Sequence, residues 1–236
     1  MAGADLLNRA AKALAFPLED REWPRKIAIG GGIGLLLEGL FVTLSLLLTR
    51  DLAPAGSLLA QAANFPILGF VLATFQGALA IPPAGSLPSW RQWASLSAKG
   101  LLLFALTMAY EIVPILFVVS GFGLLVKGGT RLVLGVVLVM VGMLAGITVG
   151  FFLPMGIARY LEERRLEAVL HPAVVWGQIR TVLAEYVEAY LLALGAFIVA
   201  GLIGAIPAVG LLLWPFLTFY LLIVGARLFG TVCSAR

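Results

Sequence analysis

The run Leu132–Ile157, LVLGVVLVMVGMLAGITVGFFLPMGI, decides the fold class, because no charged side chain lies between Arg131 and Arg159. A helix needs about 20 apolar residues to cross a hydrocarbon core about 30 Å thick, and this run exceeds that length. A membrane barrel strand would be shorter and would alternate apolar with polar residues, which this run does not. Working outward, five further runs read the same way: Ile27–Leu48, about Leu58–Ile81, Leu101–Phe122, about Val187–Ile206 and Val209–Ala226. Pro114 bends the third of the six, and Gln61, Asn64 and Pro66 weaken the start of the second. In lipid each run must satisfy its own backbone N–H and C=O groups, which a helix does within one segment. The expected fold is all-α: a polytopic transmembrane helical bundle of about six spans, paired as three hairpins with interfacial amphipathic segments. Residues 1–26 form a cytoplasmic or interfacial N-terminal segment, 27–228 the transmembrane domain and 229–236 a short cytoplasmic tail.

Composition agrees. Of 236 residues 61% are hydrophobic and 12% charged, half the charged share of about 25% in soluble domains. So few charges would leave a soluble globule with large apolar patches. The net charge of +4 and pI near 9.5 do not point to nucleic acid, because the basic residues flank apolar runs. There they read as topology signals and contacts with anionic lipid. One cysteine, Cys233, excludes an internal disulfide and any multi-cysteine metal site. The single histidine, His171 beside Pro172, excludes paired-histidine zinc motifs. No G-x-S-x-G elbow occurs, and Gly30-Gly31-Gly32-x-Gly34 opens an apolar helix without a preceding strand, so it is no phosphate loop. The expectation is a protein without enzymatic activity, metal or cofactor.

Charge placement orients the chain. With the N-terminus cytoplasmic, only Arg50, Lys127 and Arg131 of the 16 Lys and Arg fall outside. This bias predicts a multi-pass protein of the cell membrane with both termini inside. The tight outer turn Gly204-Ala205-Ile206-Pro207-Ala208 leaves a re-entrant pair as the alternative for the last two runs. Residues 1–26 are not a secretory signal, since charges interrupt every apolar stretch. Leu6, Ala10 and Leu14 at four-residue spacing suggest an amphipathic helix ended by Phe16-Pro17. Residues 158–170 read as a charged continuation of the fourth span. Each hairpin follows an aromatic, proline-containing stretch: Phe16-Pro17 to Trp23-Pro24, Leu87-Pro88 to Trp93, and His171-Pro172 to Trp176. Trp23, Trp90, Trp93 and Trp176 are therefore expected as interfacial anchors, since indole rings favour the headgroup level. Trp90 and Trp93 would share a helical face, with Ser86 or Ser89 as N-cap.

Inside the spans two patterns stand out. Gly142, Gly146 and Gly150 repeat every four residues and make a smooth helix-packing seam, either between copies or within the monomer. Glu38 follows Lys26, and Glu111 follows Lys99, at the same interval, which puts both carboxyls about 18 Å into the membrane. With Gln76 and Glu188 they form the candidate intramembrane polar site, and Tyr110 is a further polar neighbour. An acid at that depth costs roughly 2–3 kcal/mol and must face the bundle interior or water.

Several stretches resemble a family of prokaryotic integral membrane proteins catalogued as domain of unknown function 4013. Ala15-Phe16-Pro17-Leu18-Glu19-Asp20-Arg21-Glu22-Trp23-Pro24, running into Gly30, is similar to its opening. Leu87-Pro88-Ser89-Trp90-Arg91-Gln92-Trp93 with Lys99-Gly100-Leu101 is similar to its central element, although Arg91-Gln92 stands where acidic residues are expected. Trp214-Pro215-Phe216-Leu217-Thr218-Phe219-Tyr220 and Ala226-Arg227-Leu228-Phe229-Gly230 are similar to its closing span. The resemblance runs from about residue 15 to 230 and implies a multi-span membrane protein without assigning an activity.

The favoured function is a non-enzymatic membrane module that binds lipid or a partner. Its partners would be the bilayer, anionic lipid at the cytoplasmic face, and a membrane protein or a second copy. The alternative is a small-solute or ion permease coupled to protons or cations through Glu38 and Glu111. Glu38→Gln combined with Glu111→Gln in proteoliposomes separates the two. A permease loses proton or cation flux, and a folded variant with unchanged flux sinks that reading.

Overall fold

A computed structural model describes residues 2–47, 64–167 and 171–236; the side chains of residues 2–10, Glu38, 41–47 and Leu211 lie outside the description. The described residues form eight helices and no strand: α1 (Ala2–Glu19), α2 (Trp23–Leu47), α3 (Phe65–Leu79), α4 (Trp93–Lys127), α5 (Arg131–Glu163), α6 (Pro172–Thr181), α7 (Leu183–Gly204) and α8 (Val209–Ser234). All six apolar runs are helical over most of their described residues. Four helices are long and apolar enough to cross a membrane: α4, α5, α7 and the Leu212–Ser234 part of α8. The described part of the second run, α3, is a shorter apolar helix. The chain is an all-α, membrane-embedded protein. Because α7 and α8 each have full spanning length, the tight turn between them does not require a re-entrant pair.

The chain divides into two compact units, residues 1–103 with 182–236, and residues 104–181. In the first unit α8 is the central helix and packs against α1, α2, α3 and α7. Its aromatic residues enter the glycine run of α2: the Phe219 ring lies over Gly30, the Phe216 ring over Gly31 and Pro215 over Gly34. The run that superficially resembled a phosphate loop is thus a packing surface. Helices α3 and α4 approach more closely still. A methyl on Gly69 would collide with the Leu96 carbonyl, and one on Gly100 with the Phe65 carbonyl. Phe70, Trp90 and Phe219 form the aromatic core, with Phe70 stacked on Trp90 at 4.6 Å and edge-on to Phe219 at 5.4 Å. Such pairs add about 0.5–1.5 kcal/mol each beyond their buried area.

A polar clasp ties the junction of α1 and α2 to the distant stretch 87–90. The carboxylate of Asp20 accepts the Glu22 backbone N–H through Oδ1 at 2.8 Å, an Asx-turn that separates α1 from α2. Its Oδ2 accepts both the Lys26 ammonium and the Leu87 backbone N–H at 2.8 Å. Lys26 also donates to the Leu87 carbonyl at 2.9 Å, and the Trp90 indole N–H donates to the Lys26 carbonyl at 3.0 Å. Asp20 and Lys26 are both buried. Burial alone would raise the Asp20 pKa, but the hydrogen bonds from Lys26, Glu22 and Leu87 outweigh it and hold the carboxyl below its ordinary value.

Several expectations change here. Helix α1 continues through Phe16-Pro17 to Glu19, because a proline in the last turn interrupts little of the remaining ladder. Its buried face is Ala13, Phe16 and Pro17, while Leu14 is 44% exposed; the Leu6 and Ala10 side chains lie outside the described residues. Phe16 turns inward because the Arg227 guanidinium sits 4.3 Å over its ring. Trp90 is not an interfacial anchor: it is 6% exposed and stacked on Phe70. Nor does it share a helix with Trp93, which opens α4, since Trp90 lies in the preceding turn. Ser89 Oγ accepts the Arg91 N–H at 3.3 Å instead of capping α4.

In the second unit α4 and α5 form a hairpin through Gly128 and Gly129, both at φ +64°, a left-handed pair that glycine adopts without penalty. Gly121 lies against Gly135, and Gly142 against the Pro114 carbonyl and Val118. Helix α5 ends at a left-handed Arg164, whose N–H bonds the Tyr160 carbonyl at 2.8 Å. Residues 168–170 of the expected charged continuation lie outside the described residues. Val175 and Ile179 are the buried face of α6.

Two variants test this packing. Gly69→Ala should lower stability by about 1–3 kcal/mol or more through overpacking. Gly32→Ala, where a methyl meets nothing within 4 Å, should be neutral or slightly stabilising in a thermal unfolding series. Asp20→Asn leaves Lys26 buried without its counter-charge and should cost about 3–5 kcal/mol at neutral pH. Because the folded-state pKa of Asp20 is depressed, its contribution is complete above the unfolded value of about 4 and disappears as pH falls through the lower folded value. The wild-type advantage over Asp20→Asn in thermal melts should therefore shrink only in acid.

Candidate functional site

The clasp determines what surrounds it. By holding Leu87 against Asp20 and Lys26, it presses the 80–92 connection against α3 and against the end of α8. Arg227 completes the attachment, donating to the Ala84 carbonyl at 2.7 Å while its guanidinium lies over Phe16. The Tyr220 hydroxyl donates to the Leu14 carbonyl and fastens α1 onto α8. The end of α1, the start of α2, the 80–92 connection, the start of α4 and the last turns of α8 thus meet at one end of the first unit.

Among them lies a cavity of about 260 Å³. Its lining includes Thr74, Ser86, Ser89, Gln92, Lys99 and Arg227, and no acidic residue. Arg227 is held in place by a carbonyl and a ring, which leaves its planar fork preorganised. Lys99 is half-buried and has no ion-pair or hydrogen-bond partner among the described residues. Two cations, the hydroxyls of Ser86 and Ser89 and a side-chain amide can take an anion. A second cavity, of about 400 Å³ beside the 205–208 turn, is lined by Gly201, Gly204, Ile206, Pro207 and Trp214 among others and carries no charge.

The residues expected from the sequence fall as follows. Glu38 is in α2, and its side chain lies outside the described residues. Glu111, in the second unit, is half-buried; its Oε2 lies 3.5 Å from where a Gly146 methyl would be. It has no hydrogen-bond or ion-pair partner among the described residues. The Tyr110 hydroxyl lies over Gly156. Gln76 in α3 and Glu188 in α7 are each half-buried in the first unit. Gly142 and Gly146 face α4 within the monomer, and Gly150 is half-buried on α5. Trp23, half-buried, opens α2; Trp93 is 45% exposed and Trp176 40%. Trp176 lies 6.1 Å from Phe152. No group of three or more His, Cys, Asp and Glu gathers among the described residues as a metal site would.

From the sequence Lys26, Lys99 and Arg227 read as topology signals and contacts with anionic lipid, and Asp20 has no role of its own. Asp20 and Lys26 stand six apart, a spacing that matches no helical face, so their pairing had no signature. Arg227 and Lys99 each sit just beyond an apolar run, and only the chain's return brings them to one cavity.

No curated protein and no solved structure matches the chain. A family model described as a protein of unknown function, DUF4013, matches residues 55–209. That span covers α3 to α7 and the 80–92 connection, together with Lys99 on the cavity wall. With well over half of its length matched, the chain belongs to the DUF4013 family.

Proposed function

We propose that this protein is a non-enzymatic membrane module that holds an anionic lipid or a membrane partner at its cationic end. The observation that carries the proposal is the cavity whose lining bears Lys99 and Arg227 and no acid. Near an anionic leaflet each such cation is worth about 1 kcal/mol. The exposed Trp93 at the start of α4 and Arg91 on the connection before it suit the headgroup level.

The topology belongs to the same proposal: six spans as three hairpins, multi-pass in the cell membrane, with both termini cytoplasmic. Helices α2 and α3 would be the first two spans, joined through residues 48–63. The meeting of the α1, α4 and α8 ends at one pole supports a shared side for both termini. The cation bias of the connections supports the cytoplasm as that side.

The second reading is a permease, favoured by one observation. Glu111 stands without a partner among the described residues in the otherwise uncharged 100–126 stretch of α4, where an acid is expensive and marks a pathway.

Native mass spectrometry of gently solubilised protein tests the module reading. Retained lipid or a bound protein is the expected result. A chain that emerges bare, from mild detergents and from native membrane extracts alike, overturns it.

A further inference from the structure

Resting on that reading, we infer that the cavity of the first unit is a phosphate site, in which Lys99 and Arg227 hold the phosphoryl oxyanion of a lipid headgroup. The two cations differ in kind, and the difference fits one ligand chemistry. Arg227 offers a planar fork already oriented by the Ala84 carbonyl at 2.7 Å and the Phe16 ring at 4.3 Å. Such a fork pairs in parallel with two oxygens of one phosphate. Lys99, unpartnered among the described residues, supplies a compact charge for a third oxygen. Ser86, Ser89 and Gln92 add neutral hydrogen-bonding groups on the same lining.

No carboxylate on the lining competes with such an anion. The nearest acid of the clasp, Asp20, is neutralised by Lys26 at 2.8 Å and saturated by backbone N–H groups. The clasp therefore separates a spent pair from two cations that have no counter-charge among the described residues. At about 260 Å³ the cavity is several times the roughly 30 Å³ share of one water molecule. That leaves room for a phosphate together with a small polar substituent such as glycerol.

The source of the phosphate follows from position. The 80–92 connection that walls the cavity leads directly into Trp93, which is 45% exposed. An exposed indole at the start of a spanning helix marks the headgroup level. A lipid phosphate arrives at that depth without leaving the bilayer, whereas a soluble phosphate must enter from the aqueous side.

The test is a lipid titration of the full chain followed by native mass spectrometry. Phosphatidic acid and phosphatidylglycerol are the lipid probes, and inorganic phosphate and glycerol phosphate are the competitors. Lys99→Gln should weaken retention of the anionic lipids by about fivefold or more, in line with one lost cation. Lys99→Arg should restore it. Arg131→Gln, exposed at the start of α5 and off the cavity lining, should retain lipid as the wild type does.

Arg227→Gln should weaken retention further, but Arg227 also anchors Ala84 and Phe16. Lys99→Gln, which disturbs no recorded contact, is therefore the deciding variant, with its melting temperature as the folding control. Displacement of lipid by millimolar glycerol phosphate would keep the phosphate site and overturn the headgroup as its source. Undiminished lipid retention by folded Lys99→Gln would overturn the site and leave lipid holding elsewhere intact. A wild-type chain that retains no lipid at all overturns both this inference and the lipid form of the module reading.

Discussion

Hydrocarbon offers a peptide group nothing to hydrogen-bond, and the rest of the structure follows from that constraint. Each apolar run closes its backbone on itself as a helix, so helices cannot gain stability from one another by sharing backbone bonds. Association is left to close approach, and close approach needs surfaces without side chains. The first unit satisfies this with α2, whose glycines admit Phe216 and Phe219 of α8, and with Gly69 and Gly100, which lie against carbonyls of the facing helix. The second unit does it with Gly121, Gly135 and Gly142. In both, shape complementarity takes the place that the hydrophobic effect holds in water.

Polar chemistry is accordingly pushed to one end of the first unit. There a single carboxylate collects an ammonium and two backbone N–H groups. A buried ion pair contributes little net stability compared with apolar residues of the same volume. What this one supplies is register. Two groups local to Asp20, the Glu22 N–H and Lys26, must meet the distant Leu87 N–H at one carboxylate, and a partly assembled clasp leaves a buried charge with its full desolvation penalty. The connection that carries Leu87 and Trp90 is held to one position as a result. That position leaves the 260 Å³ cavity lined by Lys99 and Arg227 open beside it.

Much of the fold was legible because the membrane reduces the problem to one variable. A long uncharged run such as Leu132–Ile157 has one stable conformation in lipid, so helix content followed without any tertiary information. The candidate site was less legible. Trp90 was read as a headgroup anchor because indoles usually are, yet its N–H found the Lys26 carbonyl and its ring found Phe70, and those partners favour burial over the interface. The inward face of α1 was not legible, because four-residue spacing identifies an apolar stripe without identifying which residue meets a cation. Leu14 fitted the stripe; Phe16 had Arg227 above it.

By itself, the sequence determined the all-α class, the helical state of the apolar runs over most of their described residues and the clustering of cations at particular connections. All three are local properties, legible from residue type and interval alone. Only the tertiary structure decided that Asp20 answers Lys26 and Leu87, that the Gly30–Gly34 run receives aromatic rings, and that Lys99 and Arg227 share one cavity. Apart from Asp20 and Lys26, six positions apart, those pairings join residues separated by tens to more than a hundred positions. No periodicity connects such positions; they meet because α8 returns the chain to the pole where α1 ends and α4 begins.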